Sequence, residues 1–379
     1  MWIDCFTLPF WQSMILNMTL AASIERLIHW SATGVDRTLF VPLYPLTSQE
    51  FLMKILSTLA SFALLACMNV TATSVAAAET AYPVRPVSLV IPFPPGGATD
   101  ALGRVLALKL GKELGQPVVI DNRAGAGTVI GASYVSKSAP DGYTLLVSSG
   151  TTFTVNPAIR KNLPYDPVKG FDPIGIAGRT GLVLLANSHV PVQSVKQFVD
   201  YVKASPEKYS YGSFGSGTTA QFAGETILNA TGLKMAHIPY KGSAPAMTDL
   251  MGGQIPFSVD TVSAAIPQLK SGKIKAIAVT TAKRSAFLPN VPTMAESGYP
   301  QIDMDTWLIL AAPKGLPAEV KAKLEKALAA AIADPETRAK LVAQGFEPTY
   351  SNASATSALI SKEIPLMRAV AARSNITAD

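Results

Sequence analysis

From residue 82 onward, short apolar runs alternate with longer segments whose apolar positions recur every three to four residues. Strands buried on both faces read as continuous apolar runs, so this alternation predicts an α/β fold with helices on both sides of a sheet. The runs predict strands over 87–91, 118–120, 144–148, 182–186, 209–212, 257–260, 274–280 and 307–312. Helical periods fall over 101–114, 130–138, 195–204, 220–230, 244–251, 264–271, 318–333, 335–344 and 356–374. No internal repeat and no long Gly/Ser linker divides this region. Two lobes joined by short crossing strands are therefore expected, with ligand-bearing loops at the carboxyl ends of strands.

The preceding residues follow a different pattern. Met53-Lys54, an apolar run over 55–66 and Ala76-Ala77-Ala78 before Glu79 have the layout of a secretory signal. The apolar run is shorter than the roughly 20 residues that span a bilayer. On this reading 53–78 is a signal peptide. Residues 1–52 show no sustained period and are a start-site overcall without a structural role, and the exported chain starts at 79. Both cysteines, Cys5 and Cys67, precede the expected cleavage, which leaves the exported part without disulfides, thiolate catalysis or cysteine metal sites. Leu64-Leu65-Ala66-Cys67 loosely resembles a lipoprotein cleavage box. Lipidation at Cys67 would tether the same domain to a membrane, and plain export to the periplasm is the favoured expectation.

Charge removes some function classes. The chain carries 32 Lys and Arg against 26 Asp and Glu, a net of +6, and the charges are dispersed. No basic run interleaved with aromatics appears, so no nucleic-acid partner is expected. Beyond the signal only His189 and His237 remain, far apart and without metal-ligand spacing or a nucleophile partner. No P-loop lysine or Gly-x-Ser-x-Gly elbow is in a suitable setting, so neither an enzyme nor a cofactor or metal is expected. Gly125-Ala-Gly127-Thr-Val-Ile-Gly131 approximates a dinucleotide fingerprint. Its third glycine is one residue late and no tight strand–glycine turn precedes it, which leaves an NAD-dependent oxidoreductase as a weak alternative.

The stronger chemistry lies in glycine-rich strand exits. Val90-Ile-Pro-Phe-Pro-Pro-Gly-Gly-Ala-Thr-Asp100 runs from a strand through a proline–glycine turn into a helix, where free backbone N–H groups and the helix dipole favour an anion. Pro94 and Pro95 stiffen the approach, Gly96 and Gly97 permit close contact, and Thr99 or Asp100 is placed to cap the helix. The candidate contacts here are Phe93, Gly96, Gly97, Ala98 and Thr99. A second such exit, Tyr211 to Thr219, offers Ser213, Phe214, Gly215, Ser216, Gly217 and Thr218. A third, Ser148-Ser149-Gly150-Thr151-Thr152, offers Ser149 and Thr151. Asp260 closes an apolar strand and has two even readings, a ligand acceptor or a cap for the helix near Ala264. Lys241 is either a cation near the cleft or an ordinary exposed lysine, and Arg179 is equally open. Phe153, Phe214 and Trp307 either wall a pocket or fill the core.

From Tyr82-Pro-Val-Arg-Pro to the end, the chain resembles the Bug family, the substrate-binding proteins of tripartite tricarboxylate transporters. The resemblance rests on Pro92-Phe-Pro-Pro-Gly-Gly-Ala-Thr-Asp100, Gly115-Gln-Pro-Val-Val-Ile-Asp-Asn-Arg-Ala-Gly-Ala-Gly127, Pro140-Asp-Gly-Tyr-Thr-Leu-Leu146 and Leu163-Pro-Tyr-Asp-Pro167. It continues through Tyr211-Gly-Ser-Phe-Gly-Ser-Gly217, His237-Ile-Pro-Tyr-Lys-Gly-Ser-Ala-Pro-Ala246, Asp249-Leu-Met-Gly-Gly-Gln254, Leu288-Pro-Asn-Val-Pro-Thr293 and Ala312-Pro-Lys-Gly-Leu-Pro317. The resemblance implies a two-lobed α/β periplasmic binding protein of the Venus-flytrap type with its ligand cleft between lobes. It divides the chain into 79–182 with 306–379 as one lobe and 183–305 as the other. It also implies capture of a small carboxylate, with Asp260 near the pocket, and delivery by a monomer to the membrane permease subunits of a tripartite transporter. A binder that reports to a membrane sensor would use the same residues.

Overall fold

Every strand and helix read from the apolar pattern forms, and the strands join into a sheet whose two wings share one strand. The computed structural model describes Met53 and residues 82–205 and 208–377. The expected start-site overcall, both cysteines and, Met53 apart, the expected signal peptide lie outside the described residues.

In chain order the first elements are β1 (Val87–Ile91), α1 (Ala98–Leu114), β2 (Val118–Asn122), α2 (Val129–Ser136) and β3 (Thr144–Ser149). A π-helical turn (Thr151–Val155) and the short α3 (Asn156–Ile159) lead to β4 (Phe171–Asn187). The chain continues with α4 (Val195–Lys203), β5 (Ser210–Ser213), α5 (Thr219–Thr231), β6 (Ala236–Pro239), α6 (Ser243–Met251), β7 (Phe257–Thr261), α7 (Val262–Leu269) and β8 (Ile274–Val279). It closes with β9 (Asp305–Pro313), α8 (Ala318–Ala333), α9 (Pro335–Ala343), β10 (Ser351–Asn352) and α10 (Ala353–Arg373). Among the described residues no helix is long and apolar enough to cross a membrane.

The first wing runs β2-β1-β3-β9-β4, with β1 parallel to β2 and β3, and β9 antiparallel to both β3 and β4. The second runs β4-β7-β5-β6, with β5 parallel to β6 and β7 and with β8 also on β4. The expectation of short crossing strands is corrected at β4, which extends over 17 residues. Its residues 171–181 pair with β9, and 182–187 pair with β7 and β8. Only 182–186 reads as a strand because Pro173, Gly175 and Gly178 interrupt the earlier apolar run. They sit where the register with β9 slips, at Pro173/Gly175 and Ile176/Gly178, as strand Pro and Gly commonly do at bulges.

Each wing is covered on both faces. Leu102, Leu106 and Leu110 of α1 and Leu324 and Leu328 of α8 pack on Leu89, Leu145 and Leu310. The opposite face holds Val90, Leu146, Phe153, Trp307 and Ile360. In the second wing, alternation along β4 sends Leu182, Leu184 and Ala186 toward α4 and α5, and Val183 and Leu185 toward α6 and α7. The exits of β1, β3, β5, β6 and β7 then gather where the wings meet.

Candidate functional site

The first turn of α1 is left open to a ligand by the way its own acid is used. Gly97 is the N-cap residue, with φ −92° and ψ 176°, and no side chain caps the helix. The expected cap by Thr99 or Asp100 does not form. Asp100 lies within the first turn, nearly fully buried. Its carboxylate accepts from Gly96 N–H at 3.0 Å, Arg104 Nε at 2.9 Å and Asn122 Nδ2 at 3.0 Å. Burial opposes the charge, but these donors outweigh it and hold the carboxyl below its usual range. Asp100 thus locks the glycine turn from within, and the first N–H groups of α1 keep no side-chain acceptor.

A second uncapped helix start faces it. Gly242 is the N-cap residue of α6, at φ +105°, a value that favours glycine, and again no side chain caps the helix. A Cβ on Gly97 would lie 3.5 Å from Ser243 Oγ, and one on Gly242 would lie 3.1 Å from Pro94. The two helix starts approach this closely because both caps are glycine. Between them is an inner cavity of about 20 Å³, lined by Gly97, Ala98 and Thr99 of the first wing and by Gly242 and Ser243 of the second. Ser149, Thr219, Thr261 and Thr306 add hydroxyls, and Phe93, Pro94, Phe214 and Leu308 complete the wall. None of the described residues lining it carries a charged side chain. Its polarity comes from helix dipoles, backbone N–H groups and hydroxyls.

Asp260 stands behind that wall, fully buried at the end of β7. Its Oδ1 accepts from Ser243 Oγ at 2.9 Å, Thr261 N–H at 2.7 Å and Thr261 Oγ1 at 3.3 Å. Its Oδ2 has no hydrogen-bond partner among the described residues, and neither has Thr306 Oγ1. Burial pushes the carboxyl up to about 7, against the lowering effect of its three donors. The α7 cap is Thr261, whose side chain accepts from Ala264 N–H, so Asp260 does not cap that helix. Asp260 orients Ser243 and Thr261, two of the hydroxyl residues that line the inner cavity, and does not line it itself.

An outer chamber of about 300 Å³ adjoins the inner cavity and shares Phe93, Pro94, Phe214 and Gly242 with it. Gly215, Ser216 and Thr218 line this chamber, together with Arg160, Lys241 and the 124–128 loop. That loop holds Gly125, Ala126, Gly127 and Thr128 all at positive φ. Its resemblance to a dinucleotide fingerprint therefore reflects an irregular turn that packs against the 215–217 loop, where a Cβ on Gly127 would come within 2.6 Å of Ser216 O.

Of the residues singled out from the sequence, Phe93, Gly97, Ala98, Thr99, Ser149 and Phe214 meet at the inner cavity. Gly215, Ser216 and Thr218 meet at the outer one, and Gly96 faces a groove beside α1 and α7. The others are internal supports. Thr151 Oγ1 accepts Thr219 N–H at 3.2 Å, Ser213 Oγ and His237 Nε2 lie 2.7 Å apart, and Gly217 N–H donates to Gln221 Oε1 at 2.7 Å. Burial lowers His237 to about 4, which keeps it neutral while it stacks on Tyr211. Phe153 and Trp307 belong to the core, with Trp307 Nε1 donating to Glu363 at 3.0 Å. Arg179 pairs with Asp305 at 2.7 Å. The sequence reading missed Ser243, Thr261, Thr306 and Leu308. Gly242-Ser243 had a signal, a glycine before a helix, whereas Thr306 and Leu308 become lining residues only through their face of β9.

Residues 102–375 match the profile described as "Tripartite tricarboxylate transporter family receptor". The chain belongs to that family. The receptor is 37% identical over 284 residues to Protein BugT of Bordetella pertussis, covering 75% of this chain and 87% of that one. It superposes on the solved periplasmic binding protein BugD with a TM-score of 0.75 at 36% identity, covering 78% of this chain and 99% of that one. An R. palustris protein solved with adipate gives a TM-score of 0.76 at 35% identity, with the same coverage. The fold is thus that of periplasmic solute-binding proteins, and its homologues are receptors, not enzymes.

Proposed function

We propose that this receptor captures a small carboxylate between its two wings and hands it to the membrane permease subunits of a tripartite transporter. The observation that carries the reading is the convergence of two uncapped helix N-termini, from α1 and α6, on a cavity lined without charged side chains. Preorganised N–H groups in a dry site suit a carboxylate oxygen, and such charge-assisted bonds contribute roughly 1.5–3 kcal/mol each. The relative solved with adipate supports the ligand class. On this reading 79–182 with 306–379 and 183–305 are the two lobes, closing by a hinge at β4 and β9. The receptor acts without catalysis, as a periplasmic monomer.

Thermal unfolding against carboxylic acids, amino acids, sugars and NAD tests this. An acid at 100 times its Kd should stabilise the fold by about 2.7 kcal/mol. Ala98→Pro removes one N–H at the first helical position, where proline is tolerated, and should abolish that shift without lowering the unliganded Tm. A shift with NAD alone, or none with any acid, would overturn the reading.

A further inference from the structure

Asp260 is a fully buried acid directly behind two hydroxyls of the inner cavity. Its Oδ1 receives Ser243 Oγ–H at 2.9 Å and Thr261 Oγ1–H at 3.3 Å, besides Thr261 N–H at 2.7 Å. A hydroxyl has a single proton to donate. While that proton points at Asp260, Ser243 turns only lone pairs to the cavity, and a carboxylate oxygen there finds no donor. Thr261 is committed in the same way, because its Oγ1 also accepts from Ser263 Oγ and Ala264 N–H, each at 3.2 Å. An ionised Asp260 therefore competes with a bound anion for the Ser243 proton.

Charge works in the same direction. An anion within hydrogen-bond reach of Ser243 lies one serine oxygen away from Asp260, and none of the described residues lining the cavity carries a charged side chain to screen the pair. Of two carboxyls placed so close, one is driven to its neutral form. Oδ2 offers the seat for the proton. It has no hydrogen-bond partner among the described residues, so a negative charge there is unsupported, whereas a neutral carboxyl is far less costly to bury. The surrounding elements bring no counter-charge. β4 contributes Val183 as cross-strand partner, α6 contributes Ser243, the α7 cap is Thr261, and β5 pairs with β7 only as far as Ser258. Among the described residues no ionisable side chain acts on Asp260, and burial pushes its carboxyl up to about 7, so it changes charge near neutral pH.

We propose that Asp260 is a positioning residue that must be neutral for the receptor to hold an anion, so that above neutral pH capture takes up a proton from solvent onto Oδ2. With that proton in place Oδ1 is the weaker acceptor, and Ser243 turns its hydroxyl to the ligand. Asp260 acts through Ser243 and does not touch the ligand itself. This rests on the carboxylate reading above and adds to it that acids bind more tightly below neutral pH than above it.

Calorimetry on the purified chain with succinate, adipate and terephthalate, from pH 6.5 to 9, tests it, since these acids keep their charge over that range. For the tightest of them, affinity should fall about tenfold from the lowest pH to the highest. At pH 8 the heat should vary with the ionisation enthalpy of the buffer, in proportion to an uptake of about half a proton. His237, lowered to about 4, stays neutral throughout and does not contribute. Asp260→Asn, a neutral isostere, should hold the wild type's low-pH affinity across the range, with no dependence on buffer. Wild-type affinity that is constant or rises with pH, binding without proton uptake, or a pH dependence that Asp260→Asn retains would overturn the proposal and leave the carboxylate reading standing. The proton count is read on the wild type alone, so it decides the matter even if the variant fails to fold. Binding of no acid at any pH would remove both.

Discussion

The rings of Phe93 and Phe214 meet edge to face, with centroids 6.2 Å apart and planes at 79°. Phe93 follows β1 in the first wing, Phe214 follows β5 in the second, and Phe93 packs against cores of both. The pair therefore joins the wings at the neck between the inner cavity and the outer chamber. Aromatic pairs in this geometry couple by about 0.5–1.5 kcal/mol beyond their area. Urea unfolding of Phe93→Ala, Phe214→Ala and the double variant should return a coupling in that range. Additive losses would mean that each ring packs independently.

Asp260 makes stability depend on pH in a direction unusual for a carboxylate. Burial pushes it up to about 7, against about 3.9 for an unfolded chain. The native state then holds a proton that the unfolded state has released. Asp260's contribution is complete below pH 4 and is lost as pH rises to 7, by at most about 1.4 kcal/mol per unit. Relative to the wild type, Asp260→Asn should make the unfolding free energy fall less, or rise more, with pH between 4 and 7. An unaltered profile would place the Asp260 titration elsewhere.

His237 acts in the opposite sense. Burial lowers it to about 4, from about 6.5 when unfolded, so the unfolded chain takes up the proton first as pH falls. Its contribution is present above pH 6.5 and is lost toward pH 4. The wild type should thus show partly cancelling slopes between pH 4 and 6.5. His237→Gln should leave the fall due to Asp260 unopposed there, a change visible in the same titration.

Thr151 and Thr219 join the two wings through a buried bond, Thr219 N–H to Thr151 Oγ1 at 3.2 Å. Thr151→Val leaves that N–H without its acceptor, at a cost of about 1–3 kcal/mol. Thr151→Ser keeps the acceptor and should recover most of the loss. Equal stability of the valine variant and the wild type in denaturant titrations would show that the bond contributes nothing.

The α/β pattern and the glycine turns were legible because each follows from local physics: double-sided burial gives unbroken apolar runs, and a close approach demands glycine. The loop after β1 was read correctly as a helix entry, but neither Thr99 nor Asp100, the residues expected to cap it, does so: Asp100 is turned to Arg104 one turn on and to Asn122, a partner that only the fold brings near. The helix start opposite α1 was sought after β5, in the serine-rich 213–218 loop. Phe214 and Thr219 of that exit do line the inner cavity, and α6, whose plain Gly242-Ser243 entry carries fewer hydroxyls, meets it there as well. The α6 entry carries little local signal because the glycine-permitted approaches of Gly97 to Ser243 and of Gly242 to Pro94, not the number of hydroxyls, bring it to the cavity. The first half of β4 was hidden for a related reason, since its bulges replace apolar residues with Pro and Gly.

β4 gives its first eleven residues to one wing and its last six to the other without a break. No cut within this strand leaves either fragment with a complete sheet, so the protein offers no seam at which it can be divided. On the proposed closure, a change in the angle between the wings is borne along β4 and at the return of the chain into β9. The bulges and glycines at 173–181 would then be the most compliant part of β4, and their stiffness would set how readily the proposed site opens.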